Sequence, residues 1–299
     1  MADSGDSSDG GGERERRKQE LRQQLGVLRA AASGAAAAWA LPSGSAGPRV
    51  LDELVPGEAR ATAIGMAYVV RRAVRGLPGG AELERRFAAA LADPAAPLQR
   101  RFRAAGYGGA AALRDAIVLD IETAGLGNVP VFLIGTLAWE PDGLTLQQFL
   151  ARDYAEEAAA LALWRQASGG RQLLITFNGK SFDLPSLRLR ATLSRVAWAW
   201  DPWHLDLLHE SRRVWGRVLP DCRLQTLERC VCRRFRGDDI PGAQIPAVYH
   251  HYVHTGDARL LARVVDHNAE DLLALAELLL RLPDLDLPAA AAAGATDRT

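Results

Sequence analysis

Two acids two residues apart, Asp120 and Glu122, close the apolar run AIVLDIE. Side chains at i and i+2 of a strand point to the same face, so both carboxylates leave the strand's end together. Buried side by side, such groups repel each other and raise each other's pKa. A hard, oxygen-liganded cation such as Mg²⁺ or Mn²⁺ resolves that conflict. A third acid, Asp183, lies just past a strand in FNGKSFDLP, near the start of the next helix. Asn178 and Gly179 suit a tight turn there, and Lys180 is one of two lysines in the chain, the other being Lys18. A fourth acid, Asp271, follows His267 by four residues in HNAED, at the opening of a long apolar helix, so the two share a helical face. Each element alone also has a plain structural explanation: a turn cap beside a solvated acid, a carboxylate on a helix dipole, an i,i+4 ion pair.

The surrounding pattern predicts elements able to bring these residues together. AIVLDIE reads as a buried strand, and VFLIGTLAW (131–139) and LTLQQFLA (144–151) as two more, separated by a hairpin signal at Glu140, Pro141, Asp142 and Gly143. A helix over 156–167 then leads through Gly169-Gly170 into an apolar strand at 173–177, giving the order β-β-β-α-β. Helical patterns follow at 184–194, 224–232, 245–254 and 258–282, with a short strand at 204–208. The expected fold class is α/β, a mixed sheet flanked by helices.

Taken together and in this order, DIETAGL, FNGKSFD and HNAED resemble the three motifs of the DEDD class of 3′-to-5′ exonucleases in the ribonuclease H-like superfamily. The resemblance is greatest to the YprB-type branch, continues through HLDLL (204–208), DCRLQTLE (221–228), DDIPG (238–242), Tyr249, Tyr252 and TGD (255–257), and covers about residues 116 to 282. It implies a metal-dependent nuclease in which Asp120, Glu122, Asp183 and Asp271 hold two divalent cations, Mg²⁺ or Mn²⁺. Asp120 would bridge the two ions, Glu122 and Asp271 would complete one site, and Asp183 would support the other. His267 would be the general base. Thr123 and Leu126 would lie beside the terminal nucleotide, with Asn178 and Lys180 as further substrate-binding candidates and Asp206 as a supporting acid. Two positions depart from the pattern: Thr123 is followed by Ala124 where a second threonine is usual, and His267 precedes Asp271 by four residues rather than five. A non-catalytic nucleic-acid-binding module and an endonuclease of the same fold are the alternatives.

Composition sets the outer bounds. With 299 residues, 48% hydrophobic and 24% charged, the chain can bury a sizeable core. Its 36 basic and 36 acidic residues leave no net charge, so a polyanionic partner, DNA or RNA with a single-stranded 3′ end, must be held by a local patch. Residues 184–236 carry eleven arginines against five acids, with Trp198, Trp200, Trp203 and Trp215 in the same stretch. These suit either a stacking platform or ordinary core and surface. Cys222, Cys230 and Cys232, near His250, His251 and His254, lack paired zinc-knuckle spacing and are expected to be inert thiols. Three cysteines without a leader-like segment predict a cytoplasmic protein, and no run is apolar enough to span a membrane. The expected organisation is a tail over 1–48 with an amphipathic helix at 13–32, a small accessory region over 49–110, the ribonuclease H-like domain over 111–283, and a second tail over 284–299.

Overall fold

The apolar runs read as strands do form strands in the computed structural model, which describes residues 47–108, 110–237 and 239–282. The helix expected over 13–32 and the C-terminal tail lie outside these residues. In chain order the strands are β1 (Glu58–Thr62), β2 (Gly65–Ala73), β3 (Ala116–Thr123), β4 (Val131–Glu140), β5 (Gly143–Leu150), β6 (Leu173–Thr176) and β7 (Trp203–Asp206). The main helices are α1 (Gly80–Ala92), α2 (Pro97–Ala104), α3 (Glu157–Ala167), α4 (Asp183–Leu193), α5 (Leu207–Trp215), α6 (Ile245–Thr255) and α7 (Arg259–Arg281). Among the described residues no helix is long and apolar enough to cross a membrane.

All seven strands join one sheet in the order β1-β2-β5-β4-β3-β6-β7. From β1 to β3 the neighbours are antiparallel, with short connections joining β1 to β2, β3 to β4 and β4 to β5 but not β2 to β5, while β6 and β7 run parallel to β3 and are reached through α3 and α4. Within residues 49–110, expected as a small accessory region, β1 and β2 extend this sheet. The reason is the edge of β5, whose buried backbone needs a partner: β2 supplies it, pairing Tyr68 with Leu150 and Ala73 with Thr145, while Ala67, Tyr68, Val69 and Val70 are buried. The helix expected over 224–232 is only partly regular. One α-turn (Leu224–Leu227) runs into a wide π-turn (Glu228–Cys232) that ends at Arg233 in the left-handed region, φ 55°.

Two hydrophobic cores flank the sheet, and α7 contributes to both. Leu260, Leu261, Val264 and Val265 of its first half join the core around Phe132 and Trp164, whereas Leu272, Leu273, Leu275 and Leu279 join the core around Phe87 and Phe102. Between these halves lie His267, Asn268 and Asp271. Gly135 on β4 lets the helix come this close, since a Cβ there would sit 2.0 Å from the Asn268 side-chain oxygen. Gly135→Ala is therefore expected to cost about 1–3 kcal/mol, the usual penalty of overpacking. Denaturant melts that match the parent would mean that the helix is not seated against β4 in this way.

Candidate active site

β3 delivers the first two acids. Asp120 pairs across the sheet with Gly135 and Glu122 with Leu133, and a bulge between Glu122 and Thr123 ends the ladder just after them. Asp120 is fixed from α7: Asn268 donates from Nδ2 to Asp120 Oδ2 at 2.8 Å, while its own side-chain oxygen accepts from Gln148 Nε2 at 2.8 Å. Asn268 is fully buried, so its side-chain bonds are made away from bulk solvent.

Asp183 enters through a turn that the sheet also holds. Asn178 adopts φ 63° and Gly179 packs on Thr176, where a Cβ would approach the threonine hydroxyl to 2.3 Å. The backbone N–H groups of Asn178 and Lys180 donate to the Asp206 carboxylate at 2.8 and 3.1 Å, and Leu208 N–H donates to it at 3.0 Å. Asp206, expected as a supporting acid at the metal, thus braces the turn and caps α5. Its charge still reaches Asp183.

The four acids and the histidine come together from β3, α4 and α7. Burial first, and then the charges of Asp271, Glu122 and Asp183, push Asp120 well above the usual carboxylate range. Burial likewise lifts Glu122 to about 8 and Asp183 to about 7, with the Asp271 charge adding to both. For His267 burial acts downward, but its bond to Asp239 and the charges of Asp271, Glu122 and Asp239 prevail and raise it to about 9. Its Nε2 faces Asp271 Oδ2 at 3.5 Å and Glu122 Oε1 at 4.0 Å.

These shifts fix the sign of a pH effect. A carboxyl whose folded pKa is raised stabilises the fold below its unfolded pKa near 4, and that contribution is lost as pH rises through 7 to 8 for Asp183 and Glu122. His267, raised to about 9, contributes fully below about 6.5 and loses its contribution through 9. Both act in one direction, so the metal-free protein is expected to melt lower at pH 9 than at pH 6. Coupling among the groups sets the floor at about 1 kcal/mol, roughly 2–4 °C for a domain of this size. Saturating Mn²⁺ should flatten the dependence, and a melting temperature that rises from pH 6 to pH 9 without metal would contradict it.

Two residues that sequence reasoning passed over complete the cluster. Arg236, half-buried, donates to Glu228 Oε1, to Asp239 Oδ2 at 3.2 Å and to Asp271 Oδ1. Asp239 accepts from His267 Nδ1 at 2.7 Å. Both fall in or beside the DDIPG segment, whose resemblance marked the place without marking a role. A cleft of about 490 Å³ opens on this side, with Arg234, exposed Phe235, Arg236, Asp239, His267 and Glu270 in its wall.

The candidate substrate contacts sit at the periphery. Leu126 is 92% exposed, Asn178 and Lys180 are exposed, and Thr123 donates its hydroxyl to Gly125 O at 2.8 Å. The tryptophans pack rather than stack outward: Trp200 and Trp215 are buried, Trp198 and Trp200 cluster with Trp164, and Trp203 lies on Tyr107. Of the eleven arginines, Arg188, Arg190, Arg213, Arg234 and Arg236 are tied to acids, which reduces the basic patch. Cys230 and Cys232 are buried, with the Cys232 thiol pushed up to about 12 by burial, while His250 is engaged by Tyr154 and by Ala124 O.

Among the described residues no three His, Cys, Asp or Glu side chains stand close enough to hold a metal ion as they are. In their chemistry the four acids nonetheless fit hard divalent cations: they are oxygen donors, buried or half-buried, and mutually repelling in a way that added positive charge relieves. Asp271 currently takes positive charge from Arg236 instead.

Compared with known proteins, residues 117–282 match the family model of the RNase H superfamily, more than half of the chain. The chain belongs to the RNase H superfamily. Its mixed sheet flanked by helices is the fold of that superfamily. A Bacillus subtilis (strain 168) relative, "Uncharacterized protein YprB", is 33% identical to this RNase H superfamily chain over 170 residues, which are 54% of the chain and 40% of that relative's length. A family B DNA polymerase from the hyperthermophilic archaeon Pyrobaculum calidifontis aligns with a TM-score of 0.43 and 16% identity, over 55% of this chain and 24% of the polymerase.

Proposed function

We propose that this RNase H superfamily chain is a metal-dependent nuclease that removes nucleotides from the 3′ end of single-stranded DNA or RNA. What supports the reading above all is the gathering of four acids and a histidine from β3, α4 and α7 into one electrostatically coupled group. Residues 111–283 form its catalytic unit, and β1 and β2 complete the sheet.

Asp120, Glu122, Asp183 and Asp271 would hold two divalent cations. When bound, the cations would acidify the attacking water and stabilise the leaving oxygen. Asn268 holds the Asp120 carboxylate in place. Arg236 binds both Glu228 and Asp271, so the Asp271 carboxylate is shared between this arginine and the place where a cation would be held. His267 takes the proton of the attacking water through Nε2, which already faces the acids. Thr123, Leu126, Asn178 and Lys180 border the terminal nucleotide.

The deciding experiment is degradation of 3′-labelled and 5′-labelled single-stranded DNA and RNA with Mg²⁺ or Mn²⁺, beside the Asp120→Asn protein. Mononucleotides released from the 3′ end, lost with chelator and in the variant, are the expected outcome. Internal fragments would replace the exonuclease with an endonuclease, and binding without cleavage under every metal would leave a nucleic-acid-binding module.

A further inference from the structure

The imidazole of His267 has two nitrogens, and only one of them faces the acids. Its other nitrogen, Nδ1, lies 2.7 Å from Asp239 Oδ1. That same oxygen accepts the backbone N–H of Ile240 at 2.8 Å, while Oδ2 accepts from Arg236 Nη1 at 3.2 Å. Arg236 in turn is anchored on Glu228 through Nε at 3.0 Å and through Nη2. The Asp239 carboxylate is therefore held on three sides by groups from its own loop, from the π-turn's flank and from α7, and its reach to His267 is not a chance rotamer. It also lies in the wall of the cleft that opens on His267.

We infer that Asp239 is a positioning residue for His267: it takes the Nδ1–H bond, fixes the plane of the ring, and leaves the Nε2 lone pair of the neutral imidazole directed at Glu122 and Asp271. This inference rests on the nuclease reading above, in which Nε2 receives the proton of the attacking water. A ring free to turn, or free to carry its proton on Nε2, presents the wrong group to that water for part of the time. Asp239 touches neither the acids of β3 nor the cleaved bond, so its effect runs through the imidazole. The arrangement also accounts for the four-residue spacing of His267 and Asp271. At i,i+4 the histidine stands directly over the acid on one helical face, and the outside partner on the loop turns its Nε2 inward.

Three measurements on the full chain test this. Asp239→Ala removes the acceptor and is expected to lower kcat on a labelled oligonucleotide by about 10- to 100-fold, the usual size of an outer-shell effect, with KM within about twofold of the parent. Asp239→Asn keeps a carbonyl oxygen for Nδ1–H without the charge and is expected to recover most of the loss. Combined with His267→Ala, Asp239→Ala should cause no further loss, since both act through one ring. An unchanged kcat in Asp239→Ala, or losses that multiply in the double variant, would overturn the inference. Separately, in the metal-free protein the ring proton on Nδ1 should give a protected, far-downfield NMR signal that Asp239→Ala abolishes and Asp239→Asn retains. A signal indifferent to both substitutions would mean that Asp239 does not fix the ring. Should the parent hydrolyse nothing with either metal, the nuclease reading fails and takes the catalytic role with it, while the ring signal still decides whether Asp239 orients His267.

Discussion

Asp120→Asn is expected to lower turnover by about a thousandfold or more while leaving the fold intact and the metal-free protein more stable. The first part follows from the proposed function, in which Asp120 is one of the four acids that would hold the cations. Losing about 4 kcal/mol of the charge stabilisation that such ions supply corresponds to about a thousandfold in rate. The second part has the opposite sign. Asp120 is held above the usual carboxylate range by burial and by the charges of Asp271, Glu122 and Asp183, so at pH 8 its ionised form works against folding. Asparagine removes the charge, keeps the shape, and still offers an oxygen to Asn268. Asp183→Asn should behave alike, because Asp183 too is raised, to about 7, chiefly by burial. The checks are a rate assay with Mn²⁺ and thermal melts at pH 8 with and without metal. Hydrolysis at the parental rate would remove both acids from the reaction. A variant less stable than the parent without metal would show that the charge is not the dominant penalty there.

What could be read of this site in the sequence was what local periodicity fixes. Strand β3 could be read because its apolar run and its acids obey one periodicity, and α7 because a long apolar stripe tolerates HNAED only where the helix leaves one core for the other. The pairing of β2 with β5 could not be read. Nothing in YVVRRA specifies which sheet edge it covers, since strand pairing is set by non-local packing. Asn268 was hidden for a different reason. Standing inside a motif, it looks like a spacer, and its bond to Asp120 depends on the absence of a side chain at Gly135, 133 residues away in sequence. The arginines misled in the converse way, since their number suggests a phosphate-binding surface, yet Arg190 closes on Glu157 and Arg236 on Glu228 and Asp271. Charge content is local, but charge pairing is tertiary.

His267→Ala is expected to slow hydrolysis by about 10²- to 10⁴-fold, the contribution of a positioned general base. A base must be unprotonated, and in the metal-free site His267 is held protonated to about 9 by Asp239, Asp271 and Glu122. Once the charges of Glu122 and Asp271 are neutralised, two of those three causes vanish and the imidazole moves back toward its ordinary value near 6.5. The parental rate should therefore fall on the acid side with a midpoint between about 6.5 and 9, and His267→Ala should lose that limb as well as its rate. Stability moves with it. Removing the imidazolium takes away a contribution present at pH 7 and leaves Glu122 and Asp271 facing each other with less compensation, so the metal-free variant should melt below the parent, the reverse of Asp120→Asn. A pH–rate profile with saturating Mn²⁺ and a pair of melts at pH 7 and pH 9 resolve the two effects. A rate within a few-fold of the parent, with the acid limb intact, would hand the proton to solvent and leave His267 as a counter-charge that compensates Glu122 and Asp271.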